Sequence, residues 1–440
     1  MAAPALTAAV EPFRRLRFGD YTIPYYVRSG PEAWDELTDR LARLAADRFA
    51  LVVAAGVPED AVQRMTGCLA AAGTGGGVII LRVPDGEDTK TLTAVRDMAV
   101  TLFRKGFTRR SVVVGFGGGK AANMAGLLAG LALRGVRLVQ VPTTWLSLWD
   151  AAGVSLKQAV NLFDERVVAP WRRLLAAVWR RLTARLLPGR RSQEADPALG
   201  KNLLGVFKAP EFVFAITEVL GGLPASEIRS AIGEVIKSAV AICPEQIPVL
   251  RGLLRPGADY TAAELVQIAG ICVDAKQSVM RHDPYEKGPA LACEWGHTFG
   301  HVIELKWHLP HGLAVLIGCL MATRVAIKLG YLDPSVEPLL EDLARRNGAP
   351  LALPPGPSDR EILDALGRDS KRGYLPAMPG YIDLVLLDAP GVLHETNGIP
   401  ITQVAEDKAL EAFRSRIRVN EQTRTGFLSQ LGRPARGARR

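Results

Sequence analysis

Between Phe49 and Val141 two hydrophobic rhythms alternate. Short apolar runs at Ala50–Val53, Val78–Val83, Ser111–Phe116 and Leu138–Val141 are separated by stretches such as Thr91–Lys105 and Asn123–Leu133, where apolar residues recur at helical spacing. A strand that reads as a continuous apolar run is buried on both faces. Strands that alternate with helices run parallel, so the region predicts a parallel sheet covered by helices. From about Pro224 the rhythm is helical, at Ala225–Ala241, Ala262–Val279 and Gly312–Leu329, with few strand signals before Tyr381–Leu387. The expected class is α/β, with an α/β domain over residues 1–222 and a mostly α-helical domain over 223–440. A single core stops growing near ~250–300 residues, which agrees with two units.

Composition narrows the function classes. The five cysteines, Cys68, Cys243, Cys272, Cys293 and Cys319, are scattered and never spaced as CxxC, so they read as buried reduced thiols. No run of about 18 apolar residues is present, and Ala2–Val10 lacks the basic flank of a signal peptide, so a cytoplasmic protein with no membrane partner is expected. Of the net charge of +9, four units come from Phe163–Leu199, with eight Arg against four acids, and four from the Arg residues of Leu431–Arg440. The remainder is almost neutral and carries no nucleic-acid footprint. Within Phe163–Leu199, Val167, Trp171, Leu174, Val178, Trp179, Leu182 and Leu186 fall at helical spacing beside Arg residues. This predicts an amphipathic basic helix, inserted in a loop and packed on its own domain.

Two segments carry chemistry. Gly115-Phe-Gly-Gly-Gly-Lys-Ala-Ala-Asn123 follows an expected strand and opens a helix, where glycines let a diphosphate reach backbone N–H groups. It departs from GxGxxG because Lys120 takes the sixth position, and a plain strand-to-helix turn is the competing reading. Five of the six histidines, His282, His297, His301, His308 and His311, lie within thirty residues. His297 and His301 are four apart on one helix face, His311 can return a third nitrogen after Pro310, and Glu234 can add an oxygen from another helix. Such a set with an open position is a Lewis acid; otherwise the histidines pack and hydrogen-bond. Lys157, Lys201, Lys237, Lys276 and Lys371 stand in apolar or Gly-rich segments, and if they converge they suit a phosphate, although each alone reads as a surface residue.

Read in order, the segments PDGEDTKTL, GFGGGKAANMAG, LRGVRLVQVPTT, VSLKQAVNL, GKNLLG, IRSAIGEVIKSA, EWGHTFGH and HGLAV resemble the dehydroquinate synthase-like sugar phosphate cyclases. VSLKQAVNL, DPYEKGPALACEWGHTFGHVIEL and DSKRGY look most like the family's 2-deoxy-scyllo-inosose synthase branch. The resemblance implies a Rossmann-like first domain and a helical metal-binding domain. It implies that Glu234, His297 and His311 hold zinc or cobalt, and that His301 sits beside the substrate phosphate. NAD would lie against Glu87, Lys90, Gly118, Gly119, Asn123, Thr143, Thr144, Lys157, Lys201 and Asn202. Lys237, Lys276 and Lys371 match substrate-site lysines, and Arg134 an arginine that reaches the neighbouring subunit of a homodimer. Glu294 and Lys157 would handle protons.

The implied reaction converts glucose 6-phosphate to a carbocyclic ketone in aminoglycoside biosynthesis. It runs through transient oxidation by NAD, phosphate elimination, reduction and aldol closure. Dehydroquinate synthases carry an asparagine at Glu294 and an arginine for the substrate carboxylate at Ala290. Dehydroquinate synthase itself, a sedoheptulose 7-phosphate cyclase and a catalytically silent relative are the alternatives. The chain departs from the family's pattern at Ala54, where an Asp meets the adenosine ribose, and at Ala122, the last glycine of the diphosphate loop. Leu313 replaces the acid of the usual HGE, which predicts weaker support of His311. The Asp150–Lys157 segment is one residue longer than usual.

Overall fold

The computed structural model describes residues 11–84, 86–163 and 198–418, so the expected inserted helix and the basic tail lie outside the described residues. Nine strands come first: β1 (Arg14–Phe18), β2 (Tyr21–Arg28), β3 (Phe49–Ala54), β4 (Val78–Val83), β5 (Val112–Gly117), β6 (Arg137–Pro142), β7 (Lys157–Phe163), β8 (Ala198–Phe207) and β9 (Phe212–Ile216). Seven of them form one sheet in the order β1-β2-β9-β6-β5-β3-β4. Only β1–β2 is antiparallel there; every other pair is parallel. Strands β7 and β8 form a separate antiparallel hairpin.

Helices α1 (Glu32–Ala42), α2 (Glu59–Ala72), α3 (Leu92–Arg104) and α4 (Gly119–Leu131) cover the sheet. Side chains alternate across a strand, and β3 uses both directions. Phe49, Leu51 and Val53 meet Trp34 and Leu37 of α1 and Met65 and Leu69 of α2. Ala50 and Val52 meet Met98 and Leu102 of α3 and Met124 and Leu128 of α4. That double burial is why β3 reads as an unbroken apolar run, whereas β4, at the sheet edge, buries only alternate residues, which corrects the expectation of burial on both faces there. Helix α4 begins at Gly119, four residues before the sequence periodicity does, because its first turn is built from glycine, lysine and alanine.

The second half is helical, with α5 (Ala225–Ala241), α6 (Ala262–Met280), α7 (His297–Trp307) and α8 (His311–Lys328) as its long central members. By length and hydropathy α8 could cross a membrane, yet 78% of that span is buried inside the protein, so its apolarity is that of a central core helix. The expected strand at Tyr381–Leu387 is split between Tyr381–Leu384 and Leu387–Ala389, in two separate small sheets. All five cysteines are unpaired; four are buried as expected, whereas Cys68 is only partly so.

One core cluster joins the halves, running from Leu16, Phe18 and Tyr25 through Trp145, Leu148 and Trp149 into α5, α6 and α8. The Trp149 indole donates to Ala231 O at 3.0 Å, and the Tyr25 hydroxyl donates to Leu148 O.

Helices α5 and α8 approach at backbone distance. A Cβ on Gly312 would lie 1.8 Å from Ser230 O, and one on Gly233 would lie 2.3 Å from Gly312 O. This contact sets His311 beside Glu234. Gly312→Ala is therefore expected to destabilise the fold by about 1–3 kcal/mol, the usual cost of overpacking, read as a lower denaturant midpoint. An unchanged midpoint would show that the helices can part freely.

Candidate active site

His297 opens α7 after Gly296, whose φ of +80° turns the chain, and His311 opens α8 directly after Pro310. Both imidazoles point toward Glu234 on α5. His297 Nε2 lies 3.8 Å and His311 Nε2 3.6 Å from Glu234 Oε1. Ligands on a tetrahedral ion with bonds near 2.1 Å sit about 3.4 Å apart, so little movement closes the site. Glu234 is fully buried; Oε2 accepts from Lys237 at 2.5 Å, while Oε1 has no hydrogen-bond partner. A buried carboxylate oxygen left this way is costly unless a cation meets it, and the donor set therefore fits a divalent metal. Burial, with Lys237 adding to it, drives the His297 pKa well below its usual value, which keeps the ring neutral as ligation requires. At His311 burial works against charge, but Glu304 outweighs it and raises the pKa; a position that attracts a proton also attracts a cation.

Leu313 is buried and apolar and offers His311 no hydrogen-bond partner. Glu304 Oε2, by contrast, stands 3.0 Å from His311 Nδ1. His301, one turn beyond His297, stays outside the trio and turns Nδ1 toward Asp369 at 3.4 Å.

Beside the trio a cavity of about 380 Å³ opens between the halves, and Lys157, Lys276, Glu294, His301 and Lys371 line it. Of the five lysines singled out in the sequence, Lys157, Lys276 and Lys371 converge on this cavity rather than lying on the surface, yet none of the three is a free cation. Lys157 bridges Glu286 at 2.5 Å and Glu294 at 2.9 Å, and Lys371 bridges Glu294 at 3.1 Å and Asp369 at 2.9 Å. Lys276 pairs with Asp150, and Lys237 with Glu234 and Cys293 O. Four lysines thus face five carboxylates, Glu286, Glu294, Asp369, Asp150 and Glu234, so they bring no surplus of positive charge.

Burial alone would raise Glu294, but Lys157 and Lys371 outweigh it and hold the carboxyl well below its usual range. Burial raises the neighbouring Glu286 despite Lys157. Two carboxyl groups on one lysine are thus pushed apart in pKa, the arrangement that proton transfer requires. Glu286, Asp150, Asp369 and Glu304 were missed from sequence. The available signal was the lysines themselves, because a lysine in an apolar segment needs a buried acid.

On the sheet side, Gly118 caps α4 and Gly119 begins it, with Thr143 and Thr144 at the end of neighbouring β6. The turn lies where the strand order reverses between β3 and β5, the usual position of a ligand crevice in such sheets. A Cβ on Gly117 would fall 2.8 Å from the Cβ of Ala54, which places Ala54 at the same crevice. Ala122 is 2% exposed, so its methyl does not project into open space at the turn.

Lys90 donates to Asn202 Oδ1 at 2.6 Å, Asn202 N to Asn161 Oδ1 at 3.1 Å, and Asn161 Nδ2 to Glu87 Oε1 at 3.1 Å. Burial lowers Lys90 to about 8. Asn123 Oδ1 accepts from Ala159 N at 3.1 Å, which fixes the hairpin to α4. The glycine turn and this polar cluster fit a dinucleotide. Arg134 is exposed and outside the cavity lining, and the fold does not bring it to the site of its own chain.

Residues 79–169 match the 3-dehydroquinate synthase N-terminal family, and residues 231–372 the 3-dehydroquinate synthase C-terminal family. The chain belongs to the dehydroquinate synthase family and is a sugar phosphate cyclase by class. Its similar relatives are more particular. It is 36% identical to the 2-deoxy-scyllo-inosose synthase of Streptomyces paromomycinus, over 88% of this chain and 90% of that one. It is 34% identical to that of Streptomyces kanamyceticus, with the same coverage of each. Among solved structures, a 2-deoxy-scyllo-inosose synthase complexed with carbaglucose-6-phosphate, NAD+ and Co2+ aligns with a TM-score of 0.77 at 27% identity. That match covers 92% of this chain and 99% of that one. A 2-epi-5-epi-valiolone synthase from Streptomyces hygroscopicus, with NAD+ and Zn2+ bound, shares the fold at a TM-score of 0.67 and 20% identity.

Proposed function

We propose that the chain converts glucose 6-phosphate to 2-deoxy-scyllo-inosose and inorganic phosphate, as a carbon–oxygen lyase of aminoglycoside biosynthesis working with NAD and zinc or cobalt. One observation carries the choice of substrate. Among the described residues lining the cavity there is no arginine, Ala290 is buried, and Glu294 presents a carboxylate. A wall of that kind repels a substrate carboxylate and accepts hydrogen bonds from sugar hydroxyls.

When bound, NAD supplies a reversible hydride acceptor for the C4 hydroxyl, and the metal polarises substrate oxygens. The chain supplies the rest. Glu294, kept ionised between Lys157 and Lys371, takes the proton of the substrate carbon next to the oxidised centre as the C–O bond to phosphate breaks on the adjacent carbon, and passes that proton to the leaving phosphate. Lys157 holds that carboxylate in place. Lys237, Lys276, Lys371 and His301 orient the phosphate and ring hydroxyls. Because the lysines are matched by carboxylates, the metal's charge is needed before a phosphate dianion is welcome. The working assembly is a homodimer, in which Arg134 serves the neighbouring subunit's site.

Inorganic phosphate release with added NAD+ and Co2+ tests this directly. Release from glucose 6-phosphate with a carbocyclic ketone is the expected result. Release from seven-carbon sugar phosphates alone would assign a different cyclase. No release from a protein holding both metal and NAD would make it a silent relative, for which Ala54 is the motive.

A further inference from the structure

Glu304 lies two turns into α7 and is not among the residues lining the cavity. Its two oxygens are used separately. Oε1 accepts from Lys201 Nζ at 2.5 Å, and Oε2 stands 3.0 Å from His311 Nδ1. Lys201 comes from β8 on the sheet half and also lies 3.7 Å from Glu87 Oε1, the atom that accepts from Asn161. One carboxylate therefore joins an imidazole of the metal trio to the polar cluster that fits the dinucleotide.

We propose that Glu304 is a positioning residue that fixes His311 for the metal and, through Lys201, couples metal binding to dinucleotide binding. The inference rests on the functional reading above. An imidazole can offer Nε2 to a metal only while Nδ1 holds the proton, and an acceptor at Nδ1 sets that tautomer, fixes the ring angle and raises its basicity. Leu313 has no atom that can do this. Lys201 draws on the same carboxylate. When dinucleotide oxygens engage Lys201, more of the Glu304 charge is left to His311, and the metal is held more tightly. Linkage then requires the metal to tighten dinucleotide binding by the same factor.

The test reads binding rather than turnover. Chelator-stripped protein is titrated with Co2+ in competition with a chromophoric chelator, with and without saturating NAD+, and NAD+ binding is measured with and without Co2+. The parent should bind Co2+ at least about fivefold more tightly with NAD+ present, and NAD+ by the same factor with Co2+ present. Glu304→Ala should raise the Co2+ Kd by about 10–100-fold and remove the NAD+ effect, while the unfolding midpoint of the metal-free protein stays close to the parent's. Glu304→Gln, which keeps the shape, serves if the alanine variant fails to fold. Lys201→Met, which frees the Glu304 carboxylate permanently, should bind Co2+ without NAD+ about as tightly as the parent does with NAD+, and should show no further response to NAD+. A Glu304 variant that binds Co2+ as the parent does overturns the proposal, as does a parent that binds both ligands independently. A parent that binds neither overturns the functional reading and this inference with it.

Discussion

Glu294→Gln is expected to keep metal and NAD yet lose turnover by a factor of about 10²–10⁴, the usual contribution of a positioned proton-transfer group. The substitution preserves volume at a buried position and removes one charge. That charge is what two lysines, 2.9 Å and 3.1 Å away, are arranged to hold. A neutral amide cannot take a proton from carbon, and its N–H groups face at least one ammonium. The loss should appear in kcat with Co2+ content unchanged, because Glu294 lies outside the metal trio. Because Lys157 and Lys371 hold Glu294 well below the usual carboxylate range, the parent should show no acid limb near the ordinary glutamate pKa from this group. Unchanged turnover in Glu294→Gln would remove the residue from the mechanism.

His311→Ala and His297→Ala should each release the metal, with turnover falling to the level of the chelator-treated parent. The loss of affinity should exceed the roughly 10–100-fold expected from removing a supporting residue such as Glu304, since a ligand bond itself is gone. Metal content after dialysis, measured by atomic emission, decides the point. Each variant also leaves Glu234 Oε1 with one fewer nitrogen nearby, so a metal-free protein of lowered stability is expected. A dialysed variant with full metal content would show that the ligand set is wrong. His301→Ala is the control: its Nδ1 faces Asp369, and it should keep the metal.

Much of the fold was legible because the signals are local. Strands β3, β5 and β6 are buried on both faces, the edge strand β4 buries alternate residues yet is still rich in apolar ones, and the long helices carry their period in the chain. Strand β1, Arg-Arg-Leu-Arg-Phe, was silent because only alternate residues are buried and the others are basic. The motifs also placed the glycine turn and the histidines, since glycine freedom and imidazole chemistry belong to the residue type.

The sequence by itself determined the parallel sheet, the helical second half, the family, and the short set of residues able to hold a metal and a dinucleotide. It could do so because hydrophobic period and residue chemistry are properties of neighbours along the chain. Spacing alone left three clustered histidines open and the resemblance named two of them; the tertiary structure turns those two, His297 and His311, toward Glu234, with α8 held against α5 by the close contact at Gly312. Only the tertiary structure decided that Lys157 is claimed by acids 129 and 137 residues away, and that Glu304 stands beside His311 Nδ1. Buried charges must be neutralised by whatever the fold brings within about 3 Å, and no spacing along the chain records that distance.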